Sequence, residues 1–250
     1  MGIYRIVAER LITSRHAIAL TGAGISVESG IPDFRSDDGL WSRYDPEEFG
    51  HISSFRENPG KVWRMLSEMD EMLLRAAPNP AHFALAEMEK KGLLNLVITQ
   101  NIDSLHQRAG SERVIEYHGH TRSLRCERCA KEYQRDGISL EVLPPLCDCG
   151  YALRPEIVFF GEEIPDEPLV KAYRAACDCD LMLIIGTSTT VAPASYLPHR
   201  ARERGAFLVE INPSRTKLTN RLTDLYIAET AGKALPAILA AVVEGNKKRM

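Results

Sequence analysis

Apolar residues recur at Ile3, Ile6, Val7 and Leu11, so residues 3–14 are predicted to form an amphipathic helix. Beyond it the pattern changes to short apolar, strand-like runs separated by helical stretches. The runs cover residues 16–21, 94–99, 155–160, 181–186, 206–211 and 224–228. Between the first two, Asn79 followed by Pro80 predicts a helix start with Asn79 as its cap, and Gly92 marks its end. Strands alternating with helices predict an α/β protein whose parallel sheet is wound on both faces.

Two stretches break the alternation. Residues 36–78 contain no strand run and carry a helical stripe of Met65, Leu66, Met69, Met72 and Leu73. Residues 120–153 are short, polar and cysteine-bearing. Both are expected to leave the Rossmann-like body and to build a smaller lobe together. The chain of 250 residues and 27.9 kDa suits one large domain carrying such an insert. The expected division is a single domain over 1–250, with a large lobe at about 1–35, 79–119 and 155–250. The small lobe then takes a helical insert at about 36–78 and a zinc-ribbon insert at about 120–154.

Composition narrows the function classes. At 44% hydrophobic and 26% charged the chain resembles ordinary soluble proteins. A net charge of −3 and a pI near 6.2 provide no basic field for direct nucleic-acid binding. The basic end Gly245-Asn-Lys-Lys-Arg-Met250 reads as a solvated tail. The longest apolar runs are about half of a membrane span and no secretory signal pattern is visible, so the expectation is a cytoplasmic protein without a membrane partner.

Six cysteines in that setting argue for metal rather than disulfides. Cys126-Glu-Arg-Cys129, then seventeen residues, then Cys147-Asp-Cys149 has zinc-ribbon spacing, with the second pair one residue tighter than the commoner C-x-x-C. Four thiolates would close the tetrahedron around one structural Zn²⁺ and leave no position for a catalytic water. Cys177-Asp-Cys179 has no second pair nearby and reads as core-edge thiols.

The first strand run ends in Leu20-Thr-Gly-Ala-Gly-Ile-Ser-Val-Glu-Ser-Gly-Ile-Pro-Asp-Phe-Arg35. Gly22 and Gly24 fit a dinucleotide fingerprint, but its third glycine falls on Val27, and the next glycine is Gly30. Glycines after a strand let backbone approach a pyrophosphate, and a helix N-terminus behind them supplies N–H donors. Asp33, Phe34 and Arg35 then place an acid, an aromatic face and a guanidinium suited to phosphate or carboxylate. A second polar set, Gln100-Asn101-Ile102-Asp103, ends another strand run, where open α/β sheets bind ligands.

The 22–35 stretch closely resembles the signature of the sirtuins, the NAD-dependent protein lysine deacylases, of the short prokaryotic or archaeal type. Further resemblances follow in the family's order: Thr99 to Asp103, His118-Gly119, the four cysteines, Phe160-Gly161-Glu162, Gly186-Thr187-Ser188, Val191 to Ser195, and Ile211-Asn212-Pro213. Together they span about residues 8–240. The resemblance implies a loop that holds NAD while its glycosidic bond is cleaved, with NAD consumed as co-substrate.

The implied roles follow residue by residue. Gly22, Ala23, Gly24, Ser26, Asp33, Phe34, Arg35, Gln100, Asn101, Ile102, Asp103, Gly186, Thr187, Ser188, Asn212 and Ala231 would bind the dinucleotide. Asn101 would meet the ribose and an ordered water, and Asp103 the nicotinamide amide. His118 matches the general base, whose ordinary pKa near 6.5 leaves it neutral at pH 7. The other histidines read as structural or surface. Phe160, Gly161 and Glu162 on one side and Val191 and Pro193 on the other would hold the acyl-lysine peptide as an added strand.

In the implied reaction the acyl-lysine oxygen attacks C1′ of the nicotinamide ribose and nicotinamide leaves. Phe34 covers the sugar face, His118 assists deprotonation of the ribose hydroxyls, the 2′-oxygen attacks the imidate, and water completes the breakdown. The products are free lysine, nicotinamide and acyl-ADP-ribose. The alternatives are mono-ADP-ribosyl transfer to a protein, and removal of longer or acidic acyl groups. Relatives that remove acidic groups carry a Tyr-x-x-Arg pair after Val-Trp. Here Leu66 and Met69 take those positions after Val62-Trp63, so acetyl-lysine is the expected substrate.

Overall fold

The computed structural model describes residues 2–32 and 43–247. Its strands are β1 (Ala17–Thr21), β2 (Leu96–Thr99), β3 (Val114–Glu116), β4 (Gly119–Cys126), β5 (Glu132–Gln134), β6 (Leu153–Ile157), β7 (Leu181–Ile185), β8 (Phe207–Ile211) and β9 (Leu225–Ile227). Its helices are α1 (Ile3–Thr13), α2 (Pro46–Phe49), α3 (Ile52–Glu57), α4 (Pro59–Arg75), α5 (Pro80–Lys90), α6 (Leu105–Arg108), α7 (Asp166–Asp178), α8 (Leu197–Glu203) and α9 (Ala231–Lys247).

The large sheet runs β3-β2-β1-β7-β8-β9, and every pairing in it is parallel. Alternate residues feed two cores. Ala17, Ala19, Leu183 and Ile185 face a cluster with α1, α5 and α9. Ile18, Leu20, Met182 and Ile184 face another with α7 and α8. Burial on both faces explains why these strands read as apolar runs without alternation. The chain moves from β1 outward through β2 to β3, then returns to β7 and moves the other way through β8 to β9. The direction therefore reverses between β1 and β7, and in such sheets ligands bind at the carboxyl ends of the strands beside that reversal.

One strand expectation is corrected. The run at 155–160 does not enter the large sheet: β6 pairs antiparallel with β4 in a three-stranded sheet ordered β5-β4-β6. Gly119 (φ +78°) permits this, since a Cβ there would stand 2.0 Å from the Glu156 carbonyl oxygen. The sixth parallel strand is instead β3, whose three half-buried residues are too few to show a period. The small sheet shares a third core with α3 and α4, in which Phe55, Trp63 and Leu66 meet Leu124 and Leu153. Trp63 Nε1 donates to the Leu153 carbonyl at 2.7 Å, so the indole is buried with its polar atom satisfied.

Helix α5 begins as expected. The Asn79 side chain accepts from the Ala81 amide (2.9 Å), while His82 Nδ1 accepts from the Asn79 amide (3.2 Å). Asn79 Nδ2 also donates to the Ile25 carbonyl (2.7 Å) and Ser29 Oγ (3.0 Å), tying the helix start to the loop after β1. Gly92 (φ +69°) follows the helix end.

His82 is fully buried and meets His106 edge-on at 4.9 Å, while His106 Nε2 lies 3.0 Å from Thr21 Oγ1. Neither His82 Nε2 nor His106 Nδ1 has a partner among the described residues. Burial pushes the His82 pKa down to about 4 and that of His106 to about 3. Both are neutral when folded and take up protons on unfolding below their ordinary pKa of 6.5. Their stabilisation is therefore complete above pH 6.5 and is lost as pH falls towards 4 and 3. Two such groups steepen the acid loss of stability by roughly 2–3 kcal/mol per pH unit between pH 6 and 4. Urea midpoints across that range should fall more steeply for the native protein than for His82→Gln with His106→Gln. Parallel curves would refute the assignment.

Candidate active site and metal centre

Along the carboxyl edge of the large sheet the loops stand in sheet order: His118 beyond β3, Gln100 to Asp103 after β2, Gly22 to Ser26 after β1, Gly186 to Ser188 after β7, and Asn212 after β8. The glycine loop is not followed at once by the expected α-helix. Two 3₁₀ turns, Ala23–Ile25 and Val27–Ser29, take its place. Its glycines have a role the sequence did not show. A Cβ on Gly22 would stand 2.7 Å from Thr187 Cβ, and one on Gly24 2.7 Å from Gly186 Cα. Gly24 N donates to Gly186 O at 2.8 Å and Gly22 N to Ile185 O at 3.1 Å. These glycines therefore let two loops meet backbone to backbone at the reversal point, besides leaving bare main chain towards the crevice.

Gln100 Nε2 donates to Thr187 Oγ1 (3.0 Å), and Asn212 Nδ2 to the Thr187 carbonyl (3.3 Å), so Thr187 joins three strands' loops. Asn101 Nδ2 donates to Gly22 O (3.2 Å) and lies 3.1 Å from Ser26 Oγ, which in turn donates to Asp103 Oδ2 (2.7 Å). Asp103 also caps the next turn through the Leu105 amide (2.9 Å).

His118 Nδ1 lies 2.9 Å from the Gln100 carbonyl oxygen. A carbonyl only accepts, so Nδ1 carries the proton and Nε2 keeps its lone pair. Burial, the larger influence, pushes the His118 pKa below its ordinary 6.5, while the Gln100 carbonyl works in the opposite direction. The ring is a neutral base with one nitrogen oriented by the main chain.

A cavity of about 1170 Å³ gathers most of these residues. Gly22, Ala23, Gly24, Gln100, Asn101, Ile102, His118, Gly186, Thr187, Ser188 and Asn212 line it, with Phe160, Gly161, Glu162, Val191, Pro193, Leu66 and Met69. Three expected residues stand apart from it. Ser26 and Asp103 line a smaller recess behind Ala23, Asn101 and Ile102. Ala231 opens α9 at 4% exposure and packs into the core, and the Gly232 amide beside it is held by Glu28 (2.7 Å). Asp33, Phe34 and Arg35 lie outside the described residues.

Two residues of the peptide-side loop also have partners within the chain. Glu162 is bound bidentately by Arg154 (2.6 and 2.7 Å) and accepts the Phe159 amide (2.9 Å), so its carboxylate holds the loop together. Burial alone would raise its pKa, but these partners keep it below the usual carboxylate range. Phe160 donates to Gly50 O (2.9 Å) and accepts from the Ile52 amide (3.0 Å). The Phe160 amide is thus engaged within the chain, and its carbonyl already accepts one hydrogen bond.

Sequence reasoning missed the wall beyond Asn212: Ser214, Arg215, Thr216, Lys217 and Arg221 also line the cavity. Three basic residues within seven positions after a strand end were the available signal. It also missed Met65, Ile157 and Phe159, whose apolar side chains only the tertiary structure brings beside Leu66.

The four cysteines converge. Cys126, Cys129, Cys147 and Cys149 place all their sulfurs within 4.8 Å of one another, with Cys126–Cys149 and Cys129–Cys147 each at 3.5 Å. A tetrahedron with Zn–S of about 2.3 Å has edges of about 3.8 Å, so the set fits one structural Zn²⁺. Gly150 (φ +80°) turns the chain sharply after the short C-x-C pair. Cys177 and Cys179 lie at the end of α7, outside this group.

The comparisons with known proteins agree with this geometry. A model of the Sir2 family matches residues 22–193. An NAD-dependent protein deacylase 2 of Pyrobaculum aerophilum is 45% identical over 245 residues, covering 98% of this chain and 96% of its own. An NAD-dependent protein deacetylase of Saccharolobus solfataricus is 44% identical over 244 residues, covering 96% and 97%. Among solved structures, a Sir2 homologue in complex with NAD has a TM-score of 0.90 at 41% identity, covering 96% of this chain and 94% of its own. A mutant Sir2 homologue in complex with ADP-ribose has a TM-score of 0.94 at 39% identity, covering 98% of both.

The metal centre gives the first functional test. Elemental analysis of the purified protein should find one zinc per chain, retained by Cys177→Ser with Cys179→Ser and lost from Cys126→Ser with Cys149→Ser. Because ligand binding and folding are coupled at such sites, the second variant should also unfold at lower temperature. Zinc lost from the first variant would mean that the other cysteines hold it.

Proposed function

The chain belongs to the Sir2 family, and from that premise we propose that it is an NAD-dependent protein lysine deacetylase acting in the cytoplasm. The observation that carries the reading is His118, with its proton placed on Nδ1 by Gln100 and its Nε2 left as an acceptor at the rim of the cavity. Transfer of an acyl group to a ribose hydroxyl needs such a base, and the glycine spacing, with Val27 where a third fingerprint glycine would stand, disfavours a dehydrogenase. The four reduced thiols of the metal centre suit a reducing compartment.

The cavity fits the dinucleotide in its own chemistry. Gly22, Gly24 and Gly186 present bare backbone where a pyrophosphate needs close approach, and Asn101, Ser188 and Asn212 offer amides and a hydroxyl to riboses. When bound, NAD supplies a glycosidic bond whose cleavage releases nicotinamide and leaves ADP-ribose to accept the acyl group. His118 Nε2 accepts the proton of the ribose hydroxyl that takes the acyl group. Gln100 orients that ring and also ties the β2 loop to Thr187, so base and phosphate loops keep a fixed separation. Ile102, Phe159 and Ile157 line the same space and exclude water around the reacting atoms. Asp33, Phe34 and Arg35 belong to the proposed dinucleotide set by their place in the sequence motif, and Ser26 and Asp103 support Asn101 from behind. The large sheet forms the dinucleotide lobe, and the three-stranded sheet with α3 and α4 forms the lobe that closes over the peptide.

His118→Ala should slow deacetylation by about 10²-fold or more while nucleotide affinity persists, as befits a lost general base. In the native protein the acid limb of kcat/KM should lie below pH 6.5, because the neutral form of a depressed histidine survives to lower pH. A folded variant with normal turnover, or an acid limb well above pH 6.5, would exclude His118 as the base.

Leu66 and Met69 are both buried and line the cavity beside Met65 and Phe159; Arg154, over the Phe159 ring at 4.8 Å, is already paired with Glu162 and is not among the lining residues. An acidic acyl group would bury an unpaired carboxylate there, at several kcal/mol. Each 1.4 kcal/mol is about tenfold in rate. Acetyl-lysine should therefore exceed succinyl-lysine by roughly 10²-fold in kcat/KM, and Leu66→Tyr with Met69→Arg should narrow the ratio. Equal turnover of the two peptides by the native protein would contradict the pocket assignment.

A further inference from the structure

The cavity is electrically lopsided. Glu162 is the one carboxylate among its described lining residues, and Arg154 neutralises it. Beyond Asn212 the wall carries Arg215, Lys217 and Arg221, all exposed. No ion pair engages any of the three among the described residues, and Arg215 lies over the Tyr226 ring at 5.2 Å. This local positive end belongs to a chain whose net charge is −3.

The two acids flanking them in sequence are both engaged elsewhere: Asp224 pairs with Arg202 at 2.8 Å, and Glu210 is turned away. Glu210 on β8 is 1% exposed, and its two oxygens accept from Thr216 Oγ1 and Thr219 Oγ1, each at 2.6 Å. The Leu218 amide then donates to Thr216 Oγ1 at 3.1 Å. Glu210 thus pins the loop that carries the cations and is buried away from the cavity.

The sheet order says what this end would meet. His118 lies past β3, the glycine loops sit at the β1–β7 reversal, and the cations follow β8. A dinucleotide with its reacting ribose at His118 and its pyrophosphate at the glycines directs its adenosine ribose towards β8. Three strand spacings separate β2 from β8, roughly 14 Å across the sheet. In Rossmann-like sites a carboxylate at the ribose selects NAD through the 2′-hydroxyl, and an arginine accommodates a 2′-phosphate. Here the carboxylate is withdrawn and three cations stand ready.

We propose that the β8 end of the cavity is a subsite for a phosphate on the adenosine ribose, so that the protein binds NADP at least as tightly as NAD. The proposal rests on reading the cavity as a dinucleotide site. Arg215 and Arg221 pair with the phosphate oxygens through their guanidinium N–H groups, and Lys217 adds a mobile positive charge.

Calorimetric titration of the zinc-loaded protein with NAD and with NADP tests it, at low and at physiological salt. The native protein should bind NADP no more weakly than NAD, with the preference shrinking as salt rises. In Arg215→Ala with Lys217→Ala and Arg221→Ala the ratio of NADP to NAD affinity should fall about tenfold or more. Lys217→Gln with Arg221→Gln gives the same direction in a chain of nearly unchanged side-chain volume. NADP binding tenfold weaker than NAD in the native protein, or a ratio unmoved by both variants, would overturn the subsite. Loss of affinity for an acidic acetyl-lysine peptide, with NADP unaffected, would also overturn it by assigning the cations to the peptide. Failure of the underlying dinucleotide reading looks different, since then neither NAD nor NADP would bind.

Discussion

The contact between the loop after β1 and the loop after β7 is the constraint on which the site depends. Gly24 and Gly186 meet at main-chain distance, with an amide–carbonyl hydrogen bond of 2.8 Å between them. A methyl group on either would stand inside a neighbour's backbone, and Gly186 also holds a positive φ of +57°. The contact closes the floor of the crevice where the sheet reverses direction. Thr187 then extends it, since Gln100 and Asn212 both hydrogen-bond to that residue from the flanking strands. The positions of the base and of the β8 wall follow from this central join.

The polar groups around it divide the work of holding the loops in place. Gln100 uses its carbonyl to set the tautomer of His118 and its side chain to reach Thr187. Asn101, Ser26 and Asp103 form a short buried chain that leaves the cavity and ends on the Leu105 amide. Arg154 and Glu162, a pair with little exposure, brace the turn that presents Phe160 and Gly161. Removing Arg154 would leave the Glu162 carboxylate without its ion-pair partner below that turn, a costly defect in a partly buried position. Loop geometry at this site is therefore carried by ion pairs and main-chain hydrogen bonds, while the strands beneath supply the rigidity.

The second sheet adds what the first lacks. Its strands are short and β5 is largely exposed, so the sheet has little apolar surface of its own. Stability comes from packing on α3 and α4 and from the four converging thiolates. The same α4 that forms this core turns Met65, Leu66 and Met69 into the cavity, so the core and the candidate acyl pocket share side chains.

Five of the six parallel strands, the capped helix after Asn79, the four-cysteine site and the line of polar loops were legible in the sequence. Each leaves a local trace: an apolar run, an Asn-Pro start, a fixed ligand spacing, or glycines after a strand. What left no local trace had to wait for the fold. The 155–160 run reads like its parallel neighbours, yet its partner is β4, because pairing is decided by what lies alongside and not by residue type. Ser26 and Asp103 share a motif with cavity-lining residues but face a separate recess, since successive residues in a turn point in different directions. The role of Gly22 and Gly24 against Gly186, the withdrawal of Glu210 and the exposure of Arg215, Lys217 and Arg221 are all relations between segments far apart or folded back on themselves. The sequence by itself determined which residue types stand at the ends of which strands. Only the tertiary structure decided which of them share a space, because that depends on strand order and on contacts across the sheet, which no local pattern encodes.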